Sequence, residues 1–372
     1  PDRMTGKVAP VLFPPGTNPL DLNSTEGIPV VGLTFPELRR VKGGSRSGDN
    51  LGPPQNPGAD VVVGNWVGWA NPATTFQAPF DQVRFQVTFF EDGTAYWNDG
   101  HELRFGHGTG HGVWETEGAF GFVSTFVWVQ FDQTGANPDG VGNIFKLRFT
   151  GEIDPSDPDS FKAANLNLTI FPPGSDALDP TDTGGIPVFG SFDVENCRRV
   201  KQSVPDLVDI SGEAAGEFIH GAWWGKAIPA PDNLNPPFPE VIMMLTFTPD
   251  HNIIATDVFE LVAPHVTAHG GNWIRTAPDN RVHGTFVWTN MTPETDYDGY
   301  AKVRLFGDID PDGEGDLDYI TGAVRPTGIA TGGDVLQLPD TPFSGFLGQF
   351  NIAELTRIKV DPDIPTTVGQ DY

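Results

Sequence analysis

Basic residues are scarce in this chain. Twenty-two Lys and Arg stand against 49 Asp and Glu, a formal net charge of −27 over 372 residues. A DNA or RNA binder needs the opposite sign to neutralise phosphates, so nucleic acid is disfavoured as a partner, and so is an anionic membrane surface. The acidic excess fits a soluble secreted or cell-surface protein, because like charge keeps molecules apart. Cysteine is almost missing: Cys197 alone cannot form an internal disulfide and reads as a small buried apolar side chain. That leaves the compartment open, since many exported proteins carry no disulfide. No run of about 18 apolar residues is present to span a bilayer as a helix. The opening Pro1-Asp-Arg-Met4 shows no apolar leader, as expected of a processed chain. No Gly-x-Ser-x-Gly, phosphate loop or dinucleotide fingerprint occurs. No segment has a convincing helical period, and Val204 to Ile210 offers one turn at most.

What the chain does have is glycine (45), proline (35) and aromatics (11%), within 38% hydrophobic residues. That mixture builds apolar cores from many short strands and turns. Segments such as Phe85-Gln-Val-Thr-Phe-Phe90, Ser124 to Phe131, Phe145 to Phe149 and Leu166 to Ile170 alternate or carry β-branched and aromatic residues. Turn residues punctuate them throughout, the pattern of an antiparallel barrel or sandwich.

The chain is also internally repeated. Glu102-Leu-x-x-x-His107-x-Thr109-x-His111-Gly112 recurs 158 residues later (102 to 260) as Glu260-Leu-x-x-x-His265-x-Thr267-x-His269-Gly270. Phe13-Pro-Pro-Gly16 recurs as Phe171-Pro-Pro-Gly174, and Gly27-Ile-Pro-Val30 as Gly185-Ile-Pro-Val188, at the same offset. A fixed period fixes the domain plan. Residues 1–42 are a partial repeat containing closing strands only, and 43–58 are a Gly- and Pro-rich linker. A first full repeat (59–201), a short linker (202–216), a second repeat (217–360) and an acidic tail (361–372) follow. The opening Gly-x-Trp segments number two and the closing Arg-x-Lys segments three, at Arg40, Arg199 and Arg357. One set of closing strands is therefore expected to lack a barrel of its own.

Each full repeat opens on Gly-x-Trp (Gly64-Asn65-Trp66, Gly221-Ala222-Trp223) and ends on an Arg (Arg199, Arg357). This resembles lipocalin and wider calycin barrels, in which an Arg from the last strand stacks on the first-strand Trp and closes the barrel floor. The His-Gly-x-Trp stretch is similar to that of uncharacterised secreted lipocalin-like bacterial proteins. The resemblance implies an all-β protein of two tandem antiparallel lipocalin-like β-barrels with an N-terminal partial repeat. It further implies barrel closure by Trp66 with Arg199 and by Trp223 with Arg357. The helix that flanks a lipocalin barrel has no counterpart here.

Two constellations carry possible chemistry. If His107, Thr109 and His111 share a strand, period two puts them on one face, and likewise His265, Thr267 and His269. Such pairs hold Zn²⁺ given a third ligand, act as a general base, or simply hydrogen-bond at a barrel rim. The glycines around 106–112 suit a turn as readily as a strand. Asp308-x-Asp310-x-Asp312-Gly313 resembles the start of a calcium loop, although position twelve is Tyr319 where a bidentate Glu is needed; a solvated turn is the alternative. No cofactor is expected otherwise. The function expected first is a secreted, non-enzymatic structural or self-associating surface protein, a homo-oligomer or polymer formed by strand addition through the odd closing strands. The alternatives are a binder of small hydrophobic ligands in the barrel cavities, and a metal-dependent or acid–base enzyme using the His-x-Thr-x-His stretch.

Overall fold

A computed structural model describes residues 3–8, 11–12, 14, 28–29, 33–39, 59–72, 82–135, 141–179, 181–188, 192–201, 219–234, 236, 238–257, 269–276, 281–291, 299–309, 318–330, 332–336 and 343–358. Four short N-terminal strands come first: β1 (Arg3–Val8), β2 (Val11–Leu12), β3 (Ile28–Pro29) and β4 (Leu33–Arg39). A helical turn, α1 (Ala59–Val62), leads into β5 (Gly64–Pro72), β6 (Val83–Phe89) and β7 (Thr94–Asp99). A second turn, α2 (Glu102–Phe105), precedes β8 (Gly110–Glu117), β9 (Gly121–Phe131), β10 (Val141–Asp154), β11 (Asp157–Phe171), β12 (Ile186–Pro187) and β13 (Phe192–Arg199). The second half repeats the series as β14 (Gly221–Pro229), β15 (Val241–Phe247), β16 (Asn252–Asp257), β17 (His269–Thr276), β18 (Arg281–Thr289) and β19 (Tyr300–Ile309). It ends with β20 (Ile320–Ile329), β21 (Phe343–Phe346) and β22 (Phe350–Arg357).

The first large sheet runs β10-β9-β8-β7-β6-β5-β13-β11 and returns on itself where β10 pairs β11, with β12 added to β11. The second runs β19-β18-β17-β16-β15-β14-β22-β20, returns where β19 pairs β20, and carries β21 in the place of β12. The protein is thus mostly β, with a closed eight-stranded antiparallel barrel and a second ring-like sheet of the same strand order. Closure removes the exposed strand edges that would otherwise recruit other chains. Strand alternation sends one set of side chains inward. Trp66, Phe85, Phe89, Trp97, Trp114, Phe122, Phe126 and Phe161 form the first core. Trp223, Leu245, Phe247, Trp273, Phe286, Leu305 and Leu355 form the second. Cys197 is fully buried against Gly68, and burial pushes its thiol pKa well above the ordinary value.

The N-terminal strands pair among themselves, β1 with β4 and β2 with β3. Val11↔Pro29 and Leu12↔Ile28 become Thr169↔Pro187 and Ile170↔Ile186 on adding the repeat length, and Arg3↔Arg39 becomes Phe161↔Cys197. The partial repeat therefore folds in the register of the closing strands of a full one.

The first repeat opens on a helical turn over residues 59–62, and β5 starts at Gly64. The turn has a purpose: Trp66 Nε1 donates to Val62 O at 2.9 Å, and Trp223 Nε1 donates to Ile219 O at 3.0 Å in the second ring. Arg199 Cζ lies 4.1 Å from the centroid of Trp66, and Arg357 Cζ 4.3 Å from that of Trp223. Arg199 also donates to Val61 O and Val63 O and reaches Asp159 at 3.2 Å. Arg357 donates to His220 O and reaches Asp318 at 2.8 Å. Each guanidinium thus spends its donors on backbone beside its indole and on one carboxylate.

This geometry explains the glycine of Gly-x-Trp. Gly64 has φ +138° and Gly221 φ +127°, a region that side chains avoid. A Cβ at Gly64 would also collide with Nη1 of Arg199, and one at Gly221 would lie 3.0 Å from Nη1 of Arg357. Gly64→Ala is expected to cost about 1–3 kcal/mol in urea unfolding. Gly118→Ala (φ +75°, nothing within 4 Å of the added carbon) carries the backbone penalty alone. A Gly64→Ala loss no larger than that of Gly118→Ala would remove the guanidinium from the explanation.

The two rings pack side by side. Val67 and Val200 of the first meet Val287, Tyr300, Ile329 and Val335 of the second in a separate buried cluster. Gln86 Nε2 donates to Val287 O at 2.7 Å, Asn65 lies against Gly270, and Arg198 reaches Asp334 at 2.7 Å. The outer face of β5 and β6 is therefore seated on the outer face of β17 to β20.

Candidate functional site

The first ring is not filled. Its interior holds a cavity of about 380 Å³, within the range of small-molecule sites. The walls are Val83, Trp97, Trp128, Phe145, Leu147, Leu166, Leu168 and Ile170, with Phe105, Val188 and Phe192 toward one end. Trp128 and Phe145 stack with centroids 5.7 Å apart and planes 16° apart, presenting a flat aromatic wall. Polar groups gather in one region: Asp99, His101, His107, Gln130 and Asn143.

Local sequence explains how they converge. β7 ends at Asp99, and Gly100-His101 turns the chain into α2. Gly106 closes that turn in the left-handed conformation (φ 60°), a position suited to glycine. The chain then drops back beside β9, with His107 bridging to Gln130 and Gly108 N donating to Val129 O at 3.1 Å. His107 thereby enters the interior, and its Nε2 lies 3.5 Å from Asp99 Oδ1.

Asp99 is held on every side. Oδ1 also accepts from His101 N at 2.8 Å, and Oδ2 accepts from Trp97 Nε1 at 3.1 Å. His107 Nδ1 lies 3.0 Å from Gly108 O, so both ring N–H groups of the imidazolium have acceptors. Burial alone would lower the His107 pKa, but the facing Asp99 carboxylate outweighs it and raises the value to about 9. Burial likewise pushes Asp99 up, yet the His107 charge and hydrogen bond hold it well below the usual carboxylate range. The result is a buried ion pair, neutral as a unit, in an apolar chamber. Beyond it, Asn143 Nδ2 donates to Gln130 Oε1 at 2.6 Å, and Gln130 Nε2 to Phe105 O at 2.9 Å.

The expected common face for His107 and His111 does not form. β8 begins only at Gly110, because residues 106–109 are spent on the turn, so the period-two rule does not reach His107. His111 is exposed on the outside of β8, its ring against Tyr96 at 5.5 Å, while His107 faces inward. His265 lies outside the described residues, and of His269 only the backbone is described, paired with Ala255. Both nitrogens of His107 have partners in this structure, Nε2 at Asp99 and Nδ1 at Gly108 O. Among the described residues no three His, Cys, Asp or Glu side chains gather as a metal set. Asp308 pairs with Arg281 at 3.0 Å, and Asp310 and Asp312 lie outside the described residues.

The second ring occupies the same plan differently. Its interior space is about 60 Å³, lined by Phe238, Met243, Asp257, Phe286, Trp288 and Phe350 among others. Asp257 sits opposite Met243 as Asp99 sits opposite Phe85. Sequence reasoning passed over Asp99, Gln130 and Asn143. The repeat held a signal for the first, since Asp99 recurs as Asp257 at the common offset, but no motif marks a lone carboxylate. Compared with known proteins, the chain matches no family model and no curated protein.

Proposed function

We propose that this protein binds a small, largely apolar molecule inside its first ring. The observation that carries the reading is the difference between two rings of identical strand order: one interior space is about 380 Å³, the other, among the described residues, about 60 Å³. A packed interior is what duplication plus stability alone would favour, because voids cost contacts. An open chamber walled by aromatic and aliphatic side chains, with polar groups confined to one region, suits a hydrophobic ligand held in one orientation. We also infer that both rings are calycin-type barrels, on the strength of the Gly-x-Trp glycines and of the guanidinium over each indole. The expected secreted or surface location accompanies this reading and rests on the acidic excess alone.

The enzymatic alternative gains less support. A general acid–base needs a pKa near the working pH, and Asp99 and His107 are driven apart to either side of neutrality.

The test is titration with N-phenyl-1-naphthylamine, a neutral apolar fluorophore, followed by probe emission and by quenching of Trp97 and Trp128. Saturation at one probe per chain is expected, and Leu168→Trp, which fills the chamber, is expected to weaken binding about tenfold or more, some 1.4 kcal/mol. No binding, or equal binding by Leu168→Trp, would sink the reading.

A further inference from the structure

The contact between the two rings is made by different faces, so each ring keeps one of the two faces out of that contact; in the first ring its own residues 177–179 and 181–185 cover the β11 side of that face, and the β9 side is left. The first ring contributes the outer side of β5 and β6. There Val67 stands opposite Gln86, with Thr88 and Val200 beside them, and all four are buried. In β6 both faces of the strand are covered, inner and outer alike. In the second ring the corresponding strands are β14 and β15. Trp224 stands opposite Met244 as Val67 stands opposite Gln86, and Ile358 follows Arg357 as Val200 follows Arg199. Here the outer positions of β15 are exposed and alternate with buried inward ones: Ile242 is 42% and Met244 50% exposed, with Ile228 at 41% and Ile358 at 39% nearby. One repeat thus uses this face as an internal interface. The other presents it to solvent with apolar side chains in place of Gln86 and Arg84.

The complementary face shows the reverse. In the second ring Val287, Thr289, Tyr300 and Ile329 are buried under the first ring. By register, Val127, Val129 and Ile144 hold the places of Val287, Thr289 and Tyr300 in the first ring, while Phe171, in the place of Ile329, is already buried against Gly185 of its own ring. Val129 is 40% exposed, and Val127 and Ile144 are only half-buried. An interface built from two unlike faces does not close on itself. Where both faces recur, it extends from molecule to molecule.

We propose that a second copy of this chain docks on the β14–β15 face, seating its β9–β10 face there and repeating the contact already made inside each molecule. Copies then stack head to tail in a row of alternating first and second rings. This proposal is independent of the cavity and of the partial repeat. The net charge of −27 opposes stacking while the contact itself is apolar, so association strengthens as salt screens the repulsion.

Sedimentation velocity on the intact chain tests it at low and at high salt. Wild type is expected to pass from 40.2 kDa to a concentration-dependent series that grows with salt. Met244→Glu and Val129→Glu, both at exposed positions, are each expected to stay monomeric with unchanged near-ultraviolet circular dichroism. Mixing the two restores one intact face of each kind, and a species of twice the monomer mass, with nothing larger, is the expected result. A wild type that remains monomeric at its solubility limit in high salt overturns the proposal. So does association that survives Val129→Glu, which would mean like faces meeting. Capture of a monomeric wild type on phosphatidylcholine vesicles, lost in Met244→Glu, would assign the face to a membrane and overturn it equally.

Discussion

Replacing His107 with alanine is expected to cost about 3–5 kcal/mol of folding stability, because it leaves the Asp99 carboxylate buried without its counter-charge. Urea unfolding at pH 6 measures the loss. The double variant Asp99→Asn/His107→Leu is expected to recover most of it, since an uncharged pair of similar volume removes the buried charge. If the double variant is as unstable as the single, the loss comes from packing and not from charge. In Asp99→Asn the His107 pKa should fall from about 9, because burial is then opposed only by the Glu102 charge and the Gly108 carbonyl. The wild type carries the same physics into its pH profile. The contribution of His107 is complete below pH 6.5 and fades as pH rises through about 9. That of Asp99 is complete above pH 3.8 and fades as pH falls toward its lowered value. Stability from this pair is therefore greatest between these limits and lost on the alkaline side first. A profile flat from pH 6 to 10 would contradict the assignment.

Trp66→Ala is expected to be as damaging, about 3–5 kcal/mol, as usual when a large buried aromatic is removed. Trp66 is fully buried, meets Phe161 edge-on at 5.0 Å, and supports the guanidinium of Arg199. Arg199 would then keep its carbonyl and Asp159 partners but lose the surface beneath it. Trp66→Phe, which keeps a ring, should recover a large part of the loss. Trp223→Ala provides a parallel measurement in the second ring, where Phe247 meets the indole at 6.5 Å. If Trp66→Ala unfolds at the wild-type urea midpoint, the indole and the guanidinium over it do not anchor the ring.

These two predictions also mark what was legible in the sequence. The ring floor is written locally: a glycine that needs a special φ, an indole two residues later, and an arginine on the last strand. A repeat period then supplies a second copy of each as a check. The cavity is written nowhere locally. It depends on how residues far apart in the chain fill a shared volume, and both halves present similar alternating strands. The His-x-Thr-x-His stretch left strand and turn open, and the structure takes the turn: the chain reverses at Gly106 before β8 begins at Gly110. The ring–ring face was hidden for another reason. Arg84, Gln86 and Thr88 read as the solvent side of β6, yet Gln86 and Thr88 are buried beneath the second ring. A polar residue whose hydrogen bond is made to another sheet looks the same in sequence as one facing water.

The buried thiol of Cys197 has a practical consequence. A sulfur sealed in the first core, with so little thiolate at neutral pH, gives a maleimide nothing to attack in the folded protein. A cysteine introduced at any exposed position becomes the single addressable handle on an otherwise unmodified background. Dyes at exposed positions off the two contact faces, such as Glu117, can then report distances between neighbours, with Cys197 left in place.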